Sequence, residues 1–403
     1  MTEPLVLLGA TLIDGTGAAP QRGRAVVVQD GRIQAVVDER QAPVGRTRRL
    51  DGLTLLPGLI NCHVHLCFGG EADPGTAMVK ESYATTVINA AVRARLTIEA
   101  GVTTVRDLGG RDYAELSVRD AIRQGTIPGP RVLCAGKGIC ITGGHGWQLI
   151  GRQADGADEV RKAVREQLRA GADVIKIFAT GGVMTPGVDP NSAQLTLDEV
   201  TAAIEEARKA GRRTAAHAQG SDGIANCLEG GITTIEHGIF LTEALCQRMA
   251  RDGVALVPTL IAPHAIVEGG VAAGIPEFAV RKSLAVRERH RESFQMALRL
   301  GVSIAAGTDA GTPLNPHGSL VPELELMVKA GQAPLAAIEA ATATAARVLG
   351  LEHETGRIAP GLSADLLVVE GNPAERIEAL DDVWLVIAGG HVAVDRLDDK
   401  ARA

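Results

Sequence analysis

The feature that most constrains the fold is the alternation of short apolar runs with helix-like segments through the middle of the chain. Each apolar run has the length and β-branched content of a buried strand. Several helix-like segments end in glycine, as at Gly101, Gly171 and Gly211, where a left-handed helix cap is favoured. The candidate strands are residues 59–66, 102–108, 131–135, 174–178, 213–218, 233–238, 255–260 and 303–308.

Eight strand–helix units predict an α/β fold of the (β/α)8 TIM-barrel type, with a doubly wound open sheet as the alternative. The 403 residues leave room for more, because such barrels commonly use ~250 residues. Both ends of the chain consist of short strand-like runs broken by turns. We expect residues 1–56 and 353–403 to form one small discontinuous β-sandwich domain, and residues 57–352 to form the barrel.

Histidine, lysine and aspartate residues occur at or near the carboxyl ends of five predicted strands. His63 and His65 are two positions apart, so in a strand both side chains point to the same face and can bind one metal ion. Alone, such a pair is more often two surface histidines. Because barrel active sites lie at the carboxyl ends of strands, the repetition indicates one shared site. The further candidates are Lys176, His217, His237 and Asp309.

Composition argues against several kinds of partner. There are 41 Lys and Arg residues against 48 Asp and Glu residues, giving a net charge of −7 without long single-sign blocks, so no nucleic-acid or anionic-membrane surface is indicated. No segment approaches the ~20 apolar residues of a membrane span, and the first residues lack the basic start of a signal peptide. The six cysteines show no dense disulfide pattern. We therefore expect a cytoplasmic protein with a small-molecule substrate, no nucleic-acid partner and no membrane association.

The sequence resembles the amidohydrolase superfamily over essentially its whole length. The similarity lies in residues 57–65, 235–238 and 307–311, together with Lys176 and His217. The resemblance implies two metal ions, one bound by His63, His65 and Asp309 and the other by His217 and His237. It also implies that a carboxylated Lys176 and a hydroxide bridge both ions, and that the hydroxide attacks the substrate.

The residue types suit that chemistry. Neutral imidazoles and a carboxylate are good ligands for zinc, which is the preferred ion. An ammonium group cannot bind a cation, so Lys176 must lose its proton and take up carbon dioxide as a carbamate. The alternative for Lys176 is a buried lysine whose ammonium group pairs with Glu or Asp. Asp309 is the candidate general base.

Three glycine-rich or turn-rich segments, residues 142–146, 179–183 and 361–366, resemble the imidazolonepropionase-like and Xaa-Pro dipeptidase-like group. In that group a histidine after the third strand approaches the substrate. His145 is therefore a candidate catalytic donor to the carbonyl oxygen as well as a substrate-binding residue, and its alternative is a structural role in the turn. Trp147 and His317 are further substrate-binding candidates, each with a loop-packing alternative.

Lys176 favours hydrolysis of an acyclic amide or peptide bond, as in an N-acyl amino acid or an Xaa-Pro-type dipeptide. The alternatives are a cyclic amide hydrolase or deaminase of the imidazolonepropionase type, and a non-catalytic scaffold protein. Arg106, Arg152 and Gln194 are the candidates for binding a substrate carboxylate. The alanine- and leucine-rich residues 333–349 are compatible with a homo-oligomer, although outer barrel helices bury one such face in any case.

Overall fold

The computed structural model describes residues 3–397, which form an α/β barrel and two further sheets made from the ends of the chain. Residues 1–2 and 398–403 of the two predicted end segments lie outside this range. The strands are β1 (Leu5–Leu8), β2 (Thr11–Leu12), β3 (Arg24–Gln29), β4 (Arg32–Asp38), β5 (Arg46–Arg49), β6 (Leu53–Pro57), β7 (Leu59–Val64), β8 (Val102–Asp107), β9 (Arg131–Cys134), β10 (Gly138–Cys140), β11 (Gly151–Gln153), β12 (Val174–Phe178), β13 (Arg213–Ala218), β14 (Thr234–His237), β15 (Ala255–Val257), β16 (Leu366–Glu370), β17 (Val383–Ala388) and β18 (His391–Asp395).

Helices follow most of the barrel strands and cover the outside of the barrel. The helix Ala157–Ala170, for example, is capped by Gly171, whose φ of 99° is accessible to glycine, and the chain then enters β12. No helix of residues 3–397 is both long and apolar enough to cross a membrane. The helices are α1 (Pro74–Lys80), α2 (Tyr83–Glu99), α3 (Ala114–Arg123), α4 (Ala157–Ala170), α5 (Leu197–Lys209), α6 (Ser221–Gly230), α7 (Glu243–Asp252), α8 (Ile261–Gly269), α9 (Glu277–Arg299), α10 (Val321–Lys329), α11 (Pro334–Ala340) and α12 (Ala343–Leu349).

The barrel wall consists of two parallel sheets joined by single hydrogen bonds. One sheet has the order β7-β8-β9 and the other the order β11-β10-β12-β13-β14-β15. The Asp173 amide donates to the Cys134 carbonyl at 2.8 Å and so connects β9 to the start of β12. The predicted α/β TIM-barrel fold is confirmed, and the open-sheet alternative is wrong.

The eighth predicted strand, residues 303–308, is not a regular strand. Its backbone bonds alternately to the two neighbouring strands: the Leu256 amide of β15 donates to Ser303 and the Cys62 amide of β7 donates to Ala306, both at 2.9 Å. It therefore closes the barrel without pairing continuously with either neighbour. The predicted strand 255–260 is also shorter, because Pro258 has no amide hydrogen and Thr259 adopts a φ of 51°.

Strands from both ends of the chain form the remaining sheets, as predicted for the small β unit. These sheets have the orders β4-β3-β1-β5 and β18-β17-β16-β6-β2. β6 from the first part of the chain pairs antiparallel with β16 from the last part, with Leu56 opposite Leu367. Because β6 leads directly into β7, this unit fixes the first barrel strand. The exact domain boundaries 1–56, 57–352 and 353–403 remain predictions.

We predict that Gly58→Ala destabilises the junction between β6 and β7. A Cβ atom at Gly58 would lie 2.2 Å from Oγ1 and 2.3 Å from Cγ2 of the buried Thr103. Such overpacking typically lowers the free energy of unfolding by ~1–3 kcal/mol, which chemical denaturation would measure. The matched control is Gly75→Ala in α1, where the nearest atom to a new Cβ is 3.4 Å away. Equal stability of the two variants would contradict this prediction.

Candidate functional site

A cavity of about 100 Å³ opens at the carboxyl end of the barrel strands. The structure brings all six predicted metal-binding residues into its lining. His63 lies in β7 and His65 just beyond it, while Lys176, His217 and His237 belong to β12, β13 and β14. Asp309 follows the irregular segment that closes the barrel. The six residues are His63, His65, Lys176, His217, His237 and Asp309.

Three of these side chains converge on one point. Asp309 Oδ1 lies 3.3 Å from His63 Nε2 and 3.2 Å from His65 Nε2. Among residues 3–397, this trio places one possible ligand atom of each residue within 4.8 Å of the others. Two imidazole nitrogens and a carboxylate oxygen form a donor set that suits a divalent ion such as zinc.

The hydrogen bonds on the far side of each ring determine which nitrogen faces this point. His63 Nδ1 lies 2.9 Å from Glu236 Oε2, and His65 Nδ1 lies 2.9 Å from the Gly109 carbonyl oxygen. Carboxylate and carbonyl oxygens only accept, so both Nδ1 atoms carry the hydrogen. In the neutral rings, both Nε2 atoms then present lone pairs to Asp309. Three acceptors at this distance require a shared cation, either a proton or a metal ion.

The pKa values of the three groups shift in different directions. Burial lowers the pKa of His63, and the nearby charge of Lys176 lowers it further. For His65, burial lowers the pKa, but the hydrogen bond and charge of Asp309 outweigh it and the net pKa is raised. The pKa of Asp309 is lowered by the two histidines despite burial, so this residue is a carboxylate.

His217 and His237 form the other half of the site, with ring centroids 4.6 Å apart. His217 Nε2 donates to the Gly181 carbonyl at 2.9 Å, which leaves Nδ1 free to bind a metal. The Thr259 hydroxyl donates its one hydrogen to the Pro258 carbonyl, so it accepts from His237 Nδ1 at 2.7 Å. His237 Nε2 is therefore the free atom. Burial lowers the pKa of both histidines, which keeps them neutral and able to act as ligands.

Three non-glycine residues of the site adopt left-handed backbone conformations. These are His237 with a φ of 72°, Thr259 with 51° and Asp309 with 58°. Such conformations cost about 1–3 kcal/mol each and persist where the surroundings enforce them. His290 Nε2 donates to the His237 carbonyl at 3.0 Å, and Asn315 Nδ2 donates to the Asp309 carbonyl at 3.1 Å. These bonds hold the turns that aim the two ligands into the cavity.

Lys176 lies in the middle of β12 with 1% of its surface exposed. Burial lowers the pKa of its ammonium group to about 8, so the neutral amine is accessible near neutral pH. Among residues 3–397 no carboxylate lies within ion-pair distance of Lys176, although the charges of Glu236 and Asp309 raise its pKa against the effect of burial. The placement thus differs from the alternative in which the ammonium group pairs with a carboxylate.

Glu236 and Arg106 are functional residues whose roles the sequence did not reveal. Arg106 has 1% of its surface exposed; it donates to the Cys62 carbonyl at 2.7 Å and to Glu236 at 2.8 Å. It thus supports His63 through Glu236 and is buried away from any substrate carboxylate. The sequence did contain one signal of this ion pair, because both charged residues lie within apolar strands. Charged side chains are almost never fully buried unless they are paired.

His145 enters the cavity beside His217, with ring centroids 4.3 Å apart. Its Nδ1 lies 2.8 Å from Thr185 Oγ1, and its amide donates to Gln194 Oε1 at 2.9 Å. A Cβ atom at Gly182 would lie 2.5 Å from the imidazole, so glycine is what allows the ring to sit there. Burial lowers the pKa of His145 to about 3, which makes it a neutral hydrogen-bonding group.

The other substrate-binding candidates separate into two groups. Trp147 lines the cavity and is 39% exposed, which places it at the mouth. His317 is not among the described lining residues: its Nε2 lies 3.1 Å from the His65 carbonyl and 2.9 Å from the Phe68 carbonyl. The structure therefore favours its loop-packing alternative. Arg152 pairs with Glu166 and Gln194 with His145, so neither is placed to bind a substrate carboxylate.

Comparison with known proteins gives consistent matches. The sequence model of the Amidohydrolase family matches residues 54–393. Ochratoxinase from Aspergillus niger is 33% identical over 94% of this chain and 83% of the relative. A solved Xaa-Pro dipeptidase with bound methionine in its active site has a TM-score of 0.90, 32% identity and coverage of 96% of this chain and 99% of that one. The A. niger ochratoxinase structure has a TM-score of 0.86 and 31% identity, covering 98% and 96%.

We predict that Thr259→Val weakens metal binding. The change keeps the shape of the side chain but removes the acceptor that fixes the His237 ring, and loss of such supporting bonds typically costs about 10- to 100-fold in metal affinity. A competition titration of Zn²⁺ against a chromophoric chelator would measure this. Thr355→Val is the control, because the buried Thr355 hydroxyl has no hydrogen-bond partner among the described residues. Wild-type affinity in Thr259→Val would refute the role of Thr259.

Proposed function

This chain belongs to the amidohydrolase family and is a hydrolase of carbon–nitrogen amide bonds, and from that premise we propose a reaction that depends on two divalent metal ions. Zinc is the preferred ion. The proposed substrates are small molecules with an acyclic amide or peptide bond, either N-acyl amino acids or Xaa-Pro-type dipeptides. The observation that carries the proposal is the convergence of lone pairs from His63, His65 and Asp309 on one point beside a second pair of histidines.

The donor set fits the proposed metals. His63, His65 and Asp309 would hold one ion, and His217 Nδ1 with His237 Nε2 would hold the other. Bound ions would generate a nucleophile from water near neutral pH and polarise the scissile carbonyl. For Lys176 we propose carboxylation: the neutral Nζ attacks the carbon of CO2, an N–C bond forms and one proton leaves the nitrogen for solvent. The resulting carbamate would supply anionic oxygens to the proposed metal ions.

The remaining steps use side chains of the chain itself. We propose that the Asp309 carboxylate accepts a proton from the attacking water as its oxygen bonds to the scissile carbon. Asp309 then returns that proton to the nitrogen as the C–N bond breaks, which yields a carboxylic acid and an amine. His145, held by Thr185 and Gln194, donates an N–H to the carbonyl oxygen as negative charge develops there. Trp147 forms part of the wall at the cavity mouth.

We predict that the purified protein contains about two divalent metal ions per chain. Elemental analysis should be combined with turnover of a panel of N-acyl amino acids and Xaa-Pro dipeptides, before and after chelation. Activity should disappear on chelation and return with Zn²⁺. One ion per chain would favour the cyclic amide hydrolase or deaminase alternative. Folded protein without metal or activity would favour the non-catalytic scaffold.

We predict that Asp309→Asn lowers kcat by at least ~100-fold, because an amide cannot accept the proton. Some metal should remain bound through His63 and His65, and elemental analysis would show this. Asp252→Asn is the control, since Asp252 lies at the exposed end of α7 and pairs with Arg251 there. Near wild-type turnover in Asp309→Asn would rule out Asp309 as the general base.

A further inference from the structure

The side chain of Gln219 is a buried polar group that the proposed chemistry does not use. It lies two residues beyond His217, lines the cavity and has 4% of its surface exposed. Its Oε1 atom has no hydrogen-bond partner among residues 3–397. An unpaired buried amide oxygen is unfavourable, so native proteins retain few of them.

The backbone of Gln219 is fixed on both sides. Its amide donates to Thr180 Oγ1 at 2.9 Å, and its carbonyl accepts from the Phe240 amide at 2.8 Å. Thr180 is itself fully buried. The side chain is therefore presented to the cavity by a rigid segment, which is a property of binding residues that select their ligands.

The surroundings restrict what Gln219 can bind. Among the lining residues of the described chain, the Lys, Arg, Asp and Glu side chains are Lys176 and Asp309, which both belong to the metal site. Elsewhere the lining is largely apolar and includes Leu149, Met184 and Ile266. A carboxylate or ammonium group placed there would be desolvated without an opposite charge, which is costly. A neutral polar group needs only one hydrogen-bond partner there. The side-chain amide of Gln219 supplies it, because no bond to either Oε1 or Nε2 is found among residues 3–397.

We propose that the side-chain amide of Gln219 determines specificity by hydrogen-bonding an uncharged polar group, such as a hydroxyl, on the apolar part of the amide substrate. The substrate class is thus an amide with a largely apolar acyl or amine portion that carries a neutral hydrogen-bonding group. This inference rests on the proposed amide hydrolysis, because the cavity that holds Gln219 is the one beside the metal-binding residues.

The test uses three sets of N-acyl alanines that differ only in their aromatic acyl group. The groups are phenylacetyl, hydroxyphenylacetyl with the hydroxyl at each ring position, and the corresponding carboxyphenylacetyl groups. For the wild-type protein, at least one hydroxylated substrate should exceed the unsubstituted one in kcat/KM by about 10- to 100-fold. The carboxylated substrates should fall below both.

Gln219→Leu preserves the approximate size of the side chain but removes its hydrogen-bonding amide. The ratio of kcat/KM between the favoured hydroxylated substrate and the unsubstituted one should fall to about 1, since only the donor–acceptor bond distinguishes them. Gln332→Leu is a matched control, because Gln332 is also buried with an unpaired Oε1 but lies outside the described cavity lining. It should keep the wild-type ratio. Metal content of both variants should equal that of wild type.

Failure of this inference is separable from failure of the proposed function. If wild-type protein hydrolyses the panel but shows no hydroxyl preference, or if Gln219→Leu keeps the preference, the role of Gln219 is wrong. If wild-type protein hydrolyses no amide, the proposed function fails. Calorimetric binding of the arylacetic acid products then decides the inference: a hydroxyl advantage in Kd that Gln219→Leu removes supports it, and any other result overturns it.

Discussion

The rest of the site depends on the hydrogen bonds and the ion pair that the Glu236 carboxylate makes. This carboxylate is fully buried, and it accepts from Arg106, His63 and Thr234. Burying a charge costs several kcal/mol unless its partners are well placed, and here they come from three different barrel strands. Because Arg106 also donates to the Cys62 carbonyl, one ion pair sets the backbone of β7, the tautomer of His63 and the spacing of β7, β8 and β14. The face of the barrel that carries the candidate metal-binding residues is therefore specified from within its core.

The supporting bonds give each candidate histidine ligand a defined tautomer without any ion. His63, His65 and His237 donate through Nδ1, whereas His217 donates through Nε2. Imidazole rings held in this way have little orientational freedom left to lose when they bind an ion. The entropy cost of ion binding is therefore small. The left-handed backbone at His237 and Asp309 has the same effect, because it aims side chains that a regular strand would direct elsewhere.

The sequence was sufficient to predict the barrel, because strand periodicity is a local property of the chain. It was also sufficient to assign the six strand-end residues to one site, because barrel active sites share one location in the topology. The sequence was insufficient where tertiary hydrogen bonds determine the position of a side chain or a strand. Arg106 was a candidate for binding a carboxylate, yet it pairs with Glu236 across the barrel. His317 follows Asp309 closely in the sequence, but its imidazole donates to the backbone carbonyl of Phe68. Residues 303–308 have a strand-like composition, but their carbonyls bond to two different neighbours. Charged residues within apolar strands signal a buried pair, but no pattern along the chain identifies the partner that each of these residues contacts.

The pairing of β6 with β16 has a consequence for how the protein reaches its native state. The two strands are more than three hundred residues apart in the sequence, and Leu56 lies opposite Leu367. At ordinary rates of translation, β6 waits ~15–60 s for its partner to be synthesised. During that time an apolar strand exposes one unpaired edge, and β7, which follows it directly, lacks its final anchor. Anchoring of the first barrel strand is thus coupled to the last part of the chain, through a late contact of high sequence separation.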